Sequence, residues 1–351
     1  MRRFGDDLNT GNFLCESSMA RTRRRIRSHR LYEVCFRAYE GLPFVTTAYM
    51  RLIIESVMAR AQKVHPVTLS HDLWMPNHPH MFLVAKDSLQ FILFIGYLKE
   101  YLTKSLKSLL GERRLSLFRD RTQISEICDL DAAVNRLIYI FTNPAAANLE
   151  ATIERYPGLN SWDSLVNTKP DLDVRHVKFC PWVREPMIEP PPKWSLTERQ
   201  DKFLAEKLRS KTREMHALER APLAWIECFA PDADSEFIGD CVKRVINGVK
   251  AEEQRLSEQR MKEGRRVLGR NRLKTQSLRK QYIPKKFSKA NPFIICSDNA
   301  QRVAEIAGYK EFCKQCDEAY QAWKIGDYTV EWPVGSFKPA MPPMANSFWP
   351  D

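Results

Sequence analysis

The 351-residue sequence predicts an α+β fold: a small antiparallel sheet overlaid with helices, then a mostly helical extension. Three observations carry this expectation. Segments of strand and helix periodicity alternate over residues 27–165 in the order strand, helix, strand, strand, helix, strand, helix. The second and third strands are separated by a few turn-forming residues, which makes them an antiparallel hairpin. Past a proline-rich stretch the periodicity is helical almost throughout. The order suits a ferredoxin-like antiparallel sheet with helices on one face.

The first strand is read from the alternation Leu31-Tyr32-Glu33-Val34-Cys35-Phe36-Arg37-Ala38, closed by Glu40-Gly41-Leu42-Pro43. Thr46 or Thr47 caps a helix carrying Met50, Leu52, Ile53, Val57 and Ala61 at three-and-four spacing, and His65-Pro66 ends it. Val67–Trp74 and His78–Val84 form the hairpin around Met75-Pro76-Asn77. Leu89–Leu110 is a long helix stopped by Gly111, with Lys99, Lys104 and Lys107 on its polar side. Leu115–Phe118 is expected to be the fourth strand, with Arg119 and Arg121 in the loop after it. A helix from Asp129 or Asp131 then runs through Val134, Leu137, Ile138 and Tyr139, and Pro144 should end it at Asn143.

Composition narrows the partners. The chain is 44% hydrophobic and 28% charged, with a formal net charge of +12, so its surface favours anions, nucleic acid first among them. The nine scattered cysteines read as reduced thiols, Cys313-x-x-Cys316 included, since no second pair stands at zinc-finger spacing. The longest apolar run, Leu89–Leu98, falls short of the ~18 residues a membrane span needs, and no apolar segment follows Arg2 and Arg3. A cytoplasmic, nucleoid-associated protein with no membrane partner is the expectation.

One stretch carries chemistry. In Trp74-Met75-Pro76-Asn77-His78-Pro79-His80, the two-residue spacing on a strand points His78 and His80 to the same face, where they can share a metal ion. Tyr139 and Asn143 are four apart, so on a helix they lie one turn from each other on one face. Taken singly, each of these residues has a plain structural role available to it, as a core phenol or a helix end.

Together, the first block and Tyr139-Ile140-Phe141-Thr142-Asn143-Pro144, followed by Ala145-Ala146-Ala147-Asn148-Leu149, resemble the two signature blocks of the HUH single-tyrosine transposases, and of the REP-associated tyrosine transposases in particular. Leu98-Lys99 and Arg155-Tyr156-Pro157 add to the resemblance, which covers about residues 27–162. It implies a single-stranded DNA endonuclease and strand transferase acting on single-stranded or hairpin DNA. His78, His80 and Asn143 would bind Mg²⁺ or Mn²⁺, and Tyr139 would be the nucleophile that forms a 5′-phosphotyrosine. A free phenol titrates near ~10 and needs help at neutral pH; a metal with open positions could polarise the scissile phosphate. A homodimer is among the arrangements open to such an enzyme. A second reading is a domesticated, non-catalytic protein that binds DNA hairpins, favoured by Pro79 between the histidines. A third is a metal-dependent phosphodiesterase acting on RNA with no covalent step.

The remainder of the chain divides by composition. Residues 1–26 are a basic, mobile arm with Arg23, Arg24 and Arg25; residues 27–165 are the catalytic domain; residues 166–195 are a proline-rich linker; residues 196–351 are a mostly helical basic region. Helices are expected over Leu196–Ala217, Glu236–Gly264 and Asn299–Trp323, and a strapping tail from Trp332. The densest basic run holds Arg265, Arg266, Arg270, Arg272, Lys274, Arg279 and Lys280, and continues to Lys285 and Lys286. Few acids balance it after Glu263, so these residues and the arm arginines are read as DNA contacts.

Overall fold

The computed structural model describes residues 23–39, 41–118, 122–169, 175–184, 186, 197–278, 280, 282 and 292–339. Arg119, Arg121, Arg279, Lys285, Lys286, the first 22 residues of the arm and the end of the tail therefore lie outside the described residues. The frame consists of β1 (Leu31–Cys35), α1 (Ala48–Val64), β2 (Thr68–Met75), β3 (His78–Val84), α2 (Ser88–Leu110) and β4 (Gln123–Ile127). After it come α3 (Leu130–Ala146), α4 (Trp162–Val166), β5 (His176–Pro181), α5 (Glu198–Ser210), β6 (Met215–Arg220) and α6 (Ala224–Glu227). The described part closes with α7 (Ser235–Lys262), α8 (Arg270–Lys274), β7 (Ile294–Ile295) and α9 (Asn299–Lys324).

Local chemistry explains most of these boundaries. The Thr47 hydroxyl accepts from the Met50 N–H at the start of α1, and the Asp87 carboxylate accepts from Gln90 at the start of α2. Gly111, at φ 67°, closes α2 by donating to the carbonyls of Lys107 and Ser108. The hairpin turn is the pair Pro76-Asn77, which leaves Met75 and His78 opposite each other.

The strands run β2-β3-β1-β4-β7, antiparallel except for the β4–β7 pair. Its first four members give the ferredoxin-like order expected from the sequence, but the fourth strand is Gln123–Ile127. Leu115–Phe118 forms no strand; the Leu117 carbonyl accepts from the Tyr39 N–H, and Phe118 packs on Phe36 and Phe44. Glu126 hides the correct strand in the sequence. Its carboxylate is buried at 4% exposure, and Arg25 and Arg27 neutralise it.

Side chains alternate between two cores, with a register shift between Leu69 and His71 that puts Leu69 and Leu73 on opposite faces. Tyr32, Val34, Leu69, Trp74, Met81 and Leu83 pack under α1 and α2. Leu31, Leu73, Phe82 and Ile127 face the other way and pack with α3 and α7. The expectation of helices on one face therefore holds for α1 and α2, while α3 and α7 cover the opposite face as well.

The region past residue 165 joins both cores. Residues 176–181, inside the stretch read as a linker, form β5, and it pairs with β6 in a ribbon packed on α1. β6 and the shorter α5 replace the single helix expected over Leu196–Ala217. Asp201 of α5 accepts from the N–H groups of Ala48 and Tyr49, at 2.6 and 3.0 Å, and so satisfies the first turn of α1. Among the described residues, no helix is long and apolar enough to cross a membrane.

A candidate histidine and tyrosine active site

Strand register decides where the histidines point. Cys35 lies opposite His80 and Leu73 lies opposite it on the other side, all on the face that α3 covers. Met75 and His78 share that face, and the two imidazole rings stand 4.9 Å apart, nearly perpendicular. Pro79 falls between them on the opposite face, across from Trp74. The β1 ladder ends at His80, one position short of Pro79, so the N–H that proline lacks falls outside that pairing.

α3 brings the second half of the site. Asp129 caps it by accepting from the Ala132 N–H at 2.6 Å, while Leu137, Ile140 and Phe141 anchor it in the core. Arg136, Tyr139 and Asn143, three and four residues apart, make one stripe facing the histidines. The Tyr139 ring lies 6.1 Å from His80, edge-on, and Asn143 Nδ2 lies 3.4 Å from His80 Nε2. Tyr139 is 46% exposed, so its hydroxyl is open to a substrate.

The helix does not stop at Asn143. It passes through Pro144 to Ala146. Proline removes one donor near the end of the last turn, and the downstream chain satisfies the carbonyls there. Ala147 N–H bonds to Asn143, and the buried Arg260 of α7 donates to the Ala145 carbonyl at 2.9 Å. Asn148, at φ 54°, turns the chain out of the helix.

Behind the exposed groups sits a buried charged network. His80 Nδ1 donates to Glu33 Oε1 at 2.8 Å, and Arg136 makes a two-pronged pair with the same carboxylate. Burial pushes the Glu33 carboxyl upward, but His80 and Arg136 outweigh it and hold it below the usual range. The Arg136 guanidinium also lies over the Tyr139 ring, 4.1 Å from its centre. His78 Nδ1 donates to Asn77 Oδ1 at 2.7 Å. Burial first, then the charges of His80 and Arg37, push the His78 imidazole well below 6.5, so it is neutral at physiological pH.

These bonds sort the ring nitrogens. In both histidines Nδ1 is spent on an oxygen, as in metal-binding imidazoles that ligate through Nε2, and Nε2 of His80 meets Asn143 Nδ2 at 3.4 Å. Two imidazole Nε2 atoms beside the Asn143 amide, whose oxygen would be its ligating atom, are a donor set that would suit a divalent cation such as Mn²⁺. Among the described residues, no group of three or more His, Cys, Asp or Glu side chains forms a metal cluster, so a third ligand would have to be of another type, as Asn143 is.

Glu33, Arg136 and Asn77 are absent from the sequence reading of the site. A carboxylate inside an otherwise apolar strand, and an arginine one turn before Tyr139, were the signals available. His71 is also buried on this face, but both its nitrogens are engaged, with Ser161 Oγ and the Pro222 carbonyl. It is a structural residue, and burial lowers its imidazole to about 4.

The basic residues fall into two groups. Arg23 pairs with Asp317, Arg24 is half-buried beside it, and Arg25 pairs with Glu305 at 3.2 Å and lies over Tyr309 and Phe312. Arg23 and Arg25 are thus engaged with α9. Arg265, Arg266, Arg270, Arg272 and Lys280 are exposed, Arg265 paired with Glu263 at 3.2 Å, and Lys274 pairs with Glu198 at 2.8 Å. The exposed run is tied to the site: the N–H groups of Leu268 and Gly269 bond to the carbonyls of Asn148 and Leu149, just past α3.

No protein-family model and no curated protein matches the chain. Among solved structures it is similar to one described as a REP-associated tyrosine transposase bound to a REP hairpin, at 12% identity and a TM-score of 0.35. The alignment covers 42% of this chain and 86% of that one. What the site can do follows from its own side chains.

Proposed function

We propose that the protein is a metal-dependent single-stranded DNA nicking and joining enzyme, a transposase-type strand transferase with Tyr139 as its nucleophile. The observation that carries this reading is the convergence of the exposed Tyr139 ring, His80 and Asn143 from a helix and a strand whose sequence separation is 63 residues at the His80–Asn143 contact. The phenol oxygen bonds to phosphorus, the bond from phosphorus to the 3′-oxygen breaks, and the departing oxygen takes a proton. A 5′-phosphotyrosine and a free 3′-hydroxyl result, and the reverse reaction joins strands without another energy source.

Each neighbour has a role in that step. The Arg136 guanidinium over the ring stabilises negative charge gathering on the phenol oxygen. Glu33 fixes Arg136 and His80 in one geometry, and its charge keeps Nδ1 as the protonated nitrogen. His78, His80 and Asn143 would hold Mg²⁺ or Mn²⁺, which supplies polarisation of the scissile phosphate. The exposed arginines past Asn148 give the strand's backbone a basic track toward the site. Pro79, the residue favouring a non-catalytic hairpin binder, directs its ring to the far face and leaves the histidine side clear.

The test uses labelled single-stranded DNA bearing a hairpin, incubated with the full chain and Mn²⁺ or Mg²⁺. A covalent protein–DNA adduct that disappears in Tyr139→Phe, with binding retained, supports the reading. No adduct with either metal overturns it in favour of the hairpin binder. RNA cleavage that survives Tyr139→Phe points to the phosphodiesterase.

A further inference from the structure

Tyr139 borders a second feature that the nicking step does not use. Between α3 and α7 runs a groove of about 430 Å³, within the ~300–1,000 Å³ range of small-molecule sites. Its lining is part apolar, from Ile138, Tyr139, Gly248 and the exposed Ala251, and part polar, from Asn135, Thr142, Glu252 and Arg255. Gly248 creates the close approach of the helices there, since a Cβ at that position would overlap the Ile138 side chain, with Cγ1 at 2.9 Å.

We propose that this groove receives the unpaired nucleoside adjacent to the phosphate that Tyr139 attacks, an assignment that rests on the nicking reading above. A nucleobase has an apolar face and a hydrogen-bonding edge, which match the apolar and the polar parts of the lining. The Tyr139 ring is common to the groove and to the histidine site, so a strand with its phosphate at the phenol oxygen carries the next nucleoside to the groove's mouth. Arg255, which lines the same groove, would then meet the neighbouring phosphate. Glu252 holds its Nε and Nη2 at 2.7 and 2.6 Å, and the side chain is still 59% exposed with N–H protons to spare. A base stacked and paired in a duplex cannot turn its face into a slot between two helices. The groove therefore selects single strands, and because α7 belongs to the C-terminal region, that region contributes directly to substrate choice.

Binding of full-length wild type, Ala251→Phe and Arg255→Ala to single-stranded DNA is measured without divalent metal. The intact oligonucleotide is compared with a series carrying one abasic site at each position in turn, and adduct yield with Mn²⁺ is read in parallel. One abasic position beside the nick should weaken wild-type binding about tenfold, the scale of losing one stacked base. Ala251→Phe, which fills the groove, should bind the intact strand about as weakly and no longer distinguish the abasic one. Arg255→Ala, an exposed change, should lower the salt dependence by about one phosphate contact. An abasic profile that is flat in wild type, or unchanged in both variants, overturns the groove. A wild type that forms no adduct while keeping the abasic-sensitive position removes the nicking reading and leaves the nucleoside site standing.

Discussion

The Arg136 guanidinium is centred 4.1 Å from the Tyr139 ring while two of its donors hold the buried carboxylate of Glu33. One residue thus connects Tyr139 to the carboxylate that also binds His80. Arg136→Gln should slow adduct formation about 10- to 100-fold, on the scale of a desolvated cation–π contact worth ~2 kcal/mol. Arg136→Lys should recover little of it, because an ammonium cannot form the fork to Glu33 and cover the ring together. Single-turnover adduct kinetics with radiolabelled DNA would decide both, and wild-type rates in Arg136→Gln would remove Arg136 from the mechanism.

Glu33→Gln should weaken Mn²⁺ binding about 10- to 100-fold, the usual effect of removing the partner of a ligating histidine. Calorimetric titration of the full chain with MnCl₂ reads this directly. Affinity equal to wild type would mean that His80 is not a ligand.

Gly248→Ala should stabilise α7 by propensity yet destabilise the protein by about 1–2 kcal/mol through overpacking on Ile138. Adding Ile138→Val should recover most of that loss. Urea denaturation of the two single variants and the double variant measures the coupling, and purely additive effects would place the two side chains out of contact.

Glu253 of α7 offers a pH prediction. Its carboxyl is 7% exposed, accepts from the Ile153 N–H at 2.6 Å, and is pushed up by burial to about 7. The native state therefore binds more protons than the unfolded chain between the ordinary glutamate value of ~4.3 and that raised value. Stability is full below this window and falls as pH rises through it, by roughly 1–2 kcal/mol once solvent screening is allowed for. Glu253→Gln should be more stable than wild type at pH 8 and close to it at pH 4.5. Equal denaturation midpoints at pH 8 would contradict this.

What the sequence makes legible here is what short-range patterns encode. The hairpin, the common face of His78 and His80, and the placing of Tyr139 and Asn143 one turn apart all follow from spacing within single elements. Elements decided by distant partners were not legible. Gln123–Ile127 reads poorly as a buried strand until Arg25 and Arg27 are known to cover Glu126. Pro144 reads as a helix end because Arg260, which bonds to the carbonyl beyond it, lies 115 residues on from Ala145. Met215–Arg220 contains good helix formers and becomes a strand because β5 pairs with it along its whole length. In the site itself, Glu33 and Arg136 show their meaning only when β1 and α3 meet.

The bond from Arg260 to Ala145 and the pairing of residues 268–269 with Asn148 and Leu149 also have a consequence in time. The helix that carries Tyr139 is finished by residues translated well after it. A nascent chain that has presented only the hairpin and Tyr139 to the cell lacks the groups that close α3 and the wall of α7. Tyr139 and Asn143 therefore reach their final setting only once α7 and residues 268–269 have emerged, and a shorter translation product holds α3 with its last turn unsupported.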